Sequence, residues 1–253
     1  MSRYFIYSRS AYYGVVAAIP LLIAYELLLT MSGGDISQGQ VRNAADVWLR
    51  MIFVSFGVSP VTATLGMILI LILAIPLLRS GAVRLVPRYF GTMFIEAVAY
   101  GFALGIVINY ILAFIFSFFQ PLLTEALLSP PPAAIPREGG LIQGLALSIG
   151  AGLFEELFFR VILLSALLFL TRLLSRSWVG AALAITAAAF LFSLAHYVGP
   201  LGEALELHGF LFRWMAGLLF TILYYLRGFA ITAYSHALYD VWVITGLMGY
   251  LGG

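Results

Sequence analysis

The chain has 253 residues, of which 63% are hydrophobic and only 9% charged, with a mean hydropathy of +1.06. A soluble domain of this length would lack the polar surface to cover itself, so the composition describes a polytopic integral membrane protein. The absence of cysteine excludes disulfides, thiolate metal sites and a cysteine nucleophile, and a formal net charge of +2 is too small to point to a nucleic-acid partner.

Arg3 and Arg9 precede an apolar run from Ala11 to Met31 that is long enough to span and carries no cleavage pattern behind it, so it reads as the first span. Pro20 predicts a kink within it, and Glu26 lies near its outer end. The chain then turns polar from Ser32 to Arg50, and Val41–Arg50 mixes apolar and charged positions as a helix lying at the interface would. A second span is expected from Pro60 to Leu78, with Met51–Val58 apolar enough to extend it or to form a re-entrant piece. Arg79, Arg84 and Arg88 make a basic loop. The third span, Gly91 to about Phe119, exceeds the ~20 residues needed to cross and must tilt, kink or protrude; it contains Glu96 and Asn109. Pro121–Gly140, with its Pro130-Pro131-Pro132 run, reads as a stiff polyproline-like loop.

The fourth span, Leu141–Leu174, carries Glu155, Glu156 and Arg160 inside an otherwise apolar stretch. A charge at the bilayer centre is unfavourable by several kcal/mol and persists when it faces a partner or a wet cavity. On a helix Glu156 and Arg160 share a face at i and i+4 and can pair, whereas Glu155 points about 100° away and has no local partner. After the Arg172 and Arg176 turn, a fifth span runs from Trp178 to about Tyr197. A polar loop with Glu203, Glu206 and His208 follows, His208 reading as a solvated loop residue. Phe210–Leu226 and Phe229–Leu251 are the sixth and seventh spans, eight being the alternative count. The whole is expected to be one all-α membrane domain over residues 1–253, without internal repeat. Placing the N-terminus in the cytoplasm gathers Arg3, Arg9, Arg79, Arg84, Arg88, Arg172, Arg176 and Arg227 on the inner side.

Two further polar pairs sit at i, i+4 spacing: Phe192 with His196, and His236 with Asp240. A glutamate and two neutral imidazoles form a minimal hydrolytic set, the carboxylate taking a proton from water while the imidazoles orient it or stabilise an oxyanion. Glu155, His196 and His236 could equally ligate a divalent metal such as zinc, with an open position for water, and sequence leaves the two open. Counting ~1.5 Å per residue from the inner helix ends puts Glu155 and His196 about 25 Å up but His236 only about 12 Å up, so a boundary, a tilt or the placement of Arg227 needs revision.

The ordered set Glu155-Glu156-x-x-x-Arg160, Phe192-x-x-x-His196 and His236-x-x-x-Asp240 resembles the three motifs of the CPBP (Abi) family of intramembrane proteases, which includes type II CAAX prenyl endopeptidases and bacterial relatives linked to bacteriocin processing or immunity. The resemblance covers about Leu141–Trp242; the first three spans show no motif. It implies a helical membrane hydrolase, expected in a prokaryotic plasma membrane and acting on a membrane-associated protein or peptide. It further implies that Glu155 and His196 activate water, that Glu156 and Arg160 support the site, and that His236 and residue 240 stabilise the oxyanion. Asn often stands where this chain has Asp240. An ionised Asp cannot donate to an oxyanion, so Asp240 must be protonated, orient His236 or help bind a metal. The competing classes are a non-enzymatic immunity or partner-binding protein and a small-solute transporter, the lack of an inverted repeat weighing against the latter. Oligomeric state is not legible, because Gly144, Gly150, Ala151 and Gly152 can serve close packing within a chain or between chains.

Overall fold

The computed structural model describes residues 2–32, 41–79, 81, 83–119, 140–174, 178–199 and 202–246. Asp35, Glu125, the Pro130-Pro131-Pro132 run and Arg176 therefore lie outside the described residues. No strand occurs among the described residues. The helices are α1 (Arg3–Ser8), α2 (Ala11–Met31), α3 (Ala44–Val54), α4 (Pro60–Leu78), α5 (Pro87–Phe119), α6 (Gly140–Gly150), two π-helical segments (Ala151–Glu155 and Leu157–Leu163), α7 (Leu164–Leu174), α8 (Trp178–Ala195), α9 (Leu207–Arg227) and α10 (Phe229–Ile244). The expected all-α membrane bundle is what the chain forms.

Among the described residues, five helices are long and apolar enough to cross a membrane: α2, α4, α5, α8 and α9. The expected fourth span is helical from Gly140 to Leu174 but broken into α and π segments, and the expected seventh is described for 16 residues. Local chemistry sets the boundaries. Ser10 and Ser59 accept from the backbone N–H groups of Tyr13 and Thr62 and so satisfy donors that the first turns of α2 and α4 leave open. Met51–Val58 does not extend the second span: α3 ends at Val54, and Gly57, at φ 79°, turns the chain in a conformation that a Cβ would strain. Leu65, Leu69, Leu73 and Leu77 of α4 are exposed in the isolated chain, as a lipid-facing stripe requires.

Helix α10 lies at the centre, packed against α5, α6, the first π segment and α9. Its inner face is made of small residues, and the neighbours answer with glycine. A Cβ on Gly101 of α5 would lie 2.6 Å from the Ser235 carbonyl oxygen, and one on Gly152 would lie 2.3 Å from the Ala233 carbonyl oxygen. Gly144 likewise faces Ile244, and Gly150 faces Tyr25. These small residues therefore serve close approach of helices within the chain. Buried hydroxyls on the same helices donate back to i−4 carbonyls, Ser235 to Ile231 and Thr232 to Gly228, so that no partner from another helix is needed.

Candidate functional site

The site is assembled where the π-helical stretch, the end of α8 and the middle of α10 meet. A π segment closes i→i+5 hydrogen bonds and inserts an extra residue per turn, a distortion often found at functional positions. Glu155 closes the first π segment and Glu156 separates it from the second. Glu156 forms the expected ion pair with Arg160 at 3.0 Å, and both are fully buried. The guanidinium lies 4.5 Å from the ring centroid of Phe192 and 5.9 Å from that of Phe220, whose faces offer it further favourable contact.

Glu156 also does what the sequence did not reveal: its Oε1 meets Nδ1 of His236 at 2.7 Å. A carboxylate accepts, so this nitrogen carries a proton. At His196, Nδ1 meets the Phe192 carbonyl oxygen at 2.9 Å, and a carbonyl too can only accept. The two tautomers follow from their partners, and both Nε2 atoms are left to face inward. Each lies 4.0 Å from Oε2 of Glu155. That oxygen is buried and has no hydrogen-bond partner, while its neighbour Oε1 accepts from Nδ2 of Asn43 at 2.8 Å. Asp240 places Oδ2 3.8 Å from Nε2 of His236, beyond hydrogen-bond reach.

The expected site residues are thus brought together: Glu155, His196, His236 and Asp240 converge, with Glu156, Arg160 and Phe192 behind them. The discrepancy in depth does not persist in the structure, where Nε2 of His196 and of His236 both lie 4.0 Å from Oε2 of Glu155, and Arg227 ends α9 rather than lying in a loop. It is buried and ion-paired with Glu96 of α5 at 2.6 Å, and Gly228, at φ 78°, turns the chain straight into α10. His208 also departs from expectation, since it lies in the first turn of α9 and stacks on Phe116 at 5.2 Å. Two contributors escaped the sequence reading. Phe220 stacks on the His236 ring at 4.7 Å, and an aromatic in an apolar helix carries no signal of that. Asn43 caps α3 and reaches Glu155 from a segment far away in the chain, a contact that no local pattern signals.

A cavity of about 50 Å³ opens beside Glu155 and His196, lined also by Ala44, Trp48 and Phe159. It has room for a water molecule, and its polar groups can hold one. Two imidazole nitrogens and a carboxylate oxygen also match zinc chemically. The 4.0 Å separations exceed the about 3.4 Å edge of a tetrahedron with ~2.1 Å bonds, and no group of three among the described residues is arranged to hold a metal ion. A water with hydrogen bonds of about 2.8 Å bridges such gaps.

Residues 137–242 match the family model Rce1-like, described as type II CAAX prenyl endopeptidase Rce1-like. That segment is similar to this family. This is a protease family, and the matched segment holds every residue of the converging set except Asn43. No curated protein and no solved structure matches the chain. The apolar helices make this an integral membrane protein, of which residues 137–242 are similar to a protease family.

Proposed function

We propose that the protein is an intramembrane endopeptidase that cleaves a membrane-associated protein or peptide with water activated by Glu155. The observation that carries this reading is the convergence of both imidazole Nε2 atoms on the unpartnered Oε2 of Glu155, beside a water-sized cavity. Water held between Oε2 and Nε2 of His196 loses a proton to Glu155 as its oxygen bonds to the scissile carbonyl carbon, and the carbonyl π pair moves onto oxygen. The resulting oxyanion needs a donor. His236 supplies it as an imidazolium, with Nδ1–H on Glu156 and Nε2–H aimed inward; the surrounding carboxylates favour that charge. Collapse of the tetrahedral intermediate breaks the C–N bond, and the proton held by Glu155 passes to the leaving amine.

Oδ2 of Asp240 stands beyond hydrogen-bond reach of Nε2 of His236, and Glu156 already orients that ring, so toward His236 Asp240 acts through charge. The test uses the full chain reconstituted in liposomes with two peptides, one farnesylated at a C-terminal CAAX sequence and one of the same sequence without the lipid. Cleavage of either, surviving a strong chelator and retained for the most part in Asp240→Asn, is expected. Chelator-sensitive turnover restored by zinc would reassign Glu155, His196 and His236 as ligands, and intact protein that turns over neither peptide would favour a binding protein.

The likeness to bacterial relatives supports a prokaryotic plasma membrane, and the arginine distribution supports an N-terminus in the cytoplasm. Single cysteines introduced beside Arg84 and Arg172 should react with an impermeant thiol reagent only from the cytoplasmic side of sealed vesicles. No native thiol competes. Labelling from the opposite side would reverse the assignment.

A further inference from the structure

The first half of the chain, outside the Rce1-like match, holds a buried ionic cluster whose position has no counterpart in the three motifs. Asp46 is completely buried and takes an ion pair from Nε of Arg42 at 2.7 Å and from Nε of Arg50 at 2.6 Å. Both arginines also pair with Glu26 of α2, and Arg50 bonds to Thr64 of α4. Tyr25 donates its hydroxyl to Asp46 and accepts from the backbone N–H of Asn43 at 3.1 Å. The cluster therefore fixes the start of α3 against α2 and α4, in a place where a cap alone would leave the helix end free to slide.

What it holds is Asn43. Its Oδ1 accepts from the Ala45 N–H at 2.9 Å, so the amide cannot be turned over without losing the cap, and Nδ2 is committed to Oε1 of Glu155 at 2.8 Å. Gly150 provides the room, since a Cβ there would lie 2.5 Å from the Tyr25 ring and 3.2 Å from Cβ of Asn43.

We infer that Asn43 is a positioning residue for Glu155, locked by the Asp46 cluster, which occupies one carboxylate oxygen and thereby presents the other to the two imidazoles. The inference rests on Glu155 being the base. A carboxylate has two equivalent oxygens and turns readily about its last bond; a single fixed donor on Oε1 removes that freedom and leaves Oε2 aimed between His196 and His236.

Asn43→Ser keeps a residue that caps a helix well, and its shorter side chain no longer reaches Oε1 of Glu155. With the farnesylated and unmodified peptides as probes, this variant should show kcat lowered on the order of tenfold to a hundredfold with KM unchanged, and a melting midpoint in detergent equal to the parent's. A purely structural Asn43 would leave kcat intact in this cap-competent variant, and that result overturns the inference. A second measurement needs no turnover. The infrared band of the Glu155 side chain, isolated by subtracting the spectrum of Glu155→Gln, should shift in Asn43→Ser because a hydrogen bond to the carboxyl group is lost. An unmoved band overturns the inference even in a protein that cleaves both peptides, whereas a shifted band in a protein that cleaves neither overturns only the protease reading.

Discussion

Replacing Glu155 with glutamine should lower peptide turnover by about 10²–10⁴-fold while leaving the fold in place. The substitution keeps the shape of the side chain and its contact with Asn43, since an amide oxygen still accepts from Nδ2. The amide nitrogen then stands where Oε2 stood, 4.0 Å from each Nε2, and donates to a water held between them. Nothing buried is left unsatisfied, so the loss is confined to proton uptake. The measurement is kcat for the reconstituted variant beside its thermal midpoint in detergent. Turnover within a factor of two of the parent would remove Glu155 from the chemistry, and a collapse of the midpoint would make it a structural group.

The fold was legible to the extent that the bilayer dictates it. Apolar runs of spanning length, arginines at their inner ends and serine caps each act within a few residues, and α2, α4, α8 and α9 follow them closely. Glu156 with Arg160 was legible for the same reason, because i, i+4 pairing needs only helical geometry. What escaped depends on how helices meet. The reading of Arg227 as a loop arginine failed, because Glu96 of a different helix pairs with it in the protein interior. No periodicity announces that pairing, since the partner lies on α5.

Asn43 illustrates the same limit at the site. Its type and its position before an amphipathic helix identify a cap, and a cap explains it fully on local grounds. Only the packing of Gly150 against Tyr25 brings that cap within reach of Glu155. Asp240, by contrast, was singled out in the sequence for its spacing from His236, and that spacing does bring the two together, but at 3.8 Å. The orienting contact belongs to Glu156, and i, i+4 spacing within α10 could not disclose a partner on the π-helical segment.

Glu156→Gln should therefore lose both stability and turnover, in contrast to its neighbour. The carboxylate is completely buried and has two dependants, Arg160 at 3.0 Å and Nδ1 of His236 at 2.7 Å. Removing one partner of a buried ion pair is unfavourable by about 3–5 kcal/mol, because the remaining charge has neither water nor counter-ion. The aromatic faces of Phe192 and Phe220 can return about 1 kcal/mol to the stranded guanidinium, which leaves a net loss of about 2–4 kcal/mol. The amide oxygen can still accept from Nδ1, so the His236 ring keeps its tautomer, but it loses the negative charge that favours the imidazolium. Turnover by the folded fraction should then fall about 10–100-fold, less than for Glu155→Gln. Thermal midpoints of the two variants, measured side by side in the same detergent, separate the roles: a clear drop for Glu156→Gln and little change for Glu155→Gln is the expected pattern. A Glu156→Gln protein that melts with the parent would mean that Arg160 is neutralised by something other than this carboxylate, and would end its assignment as the buried anchor of the site.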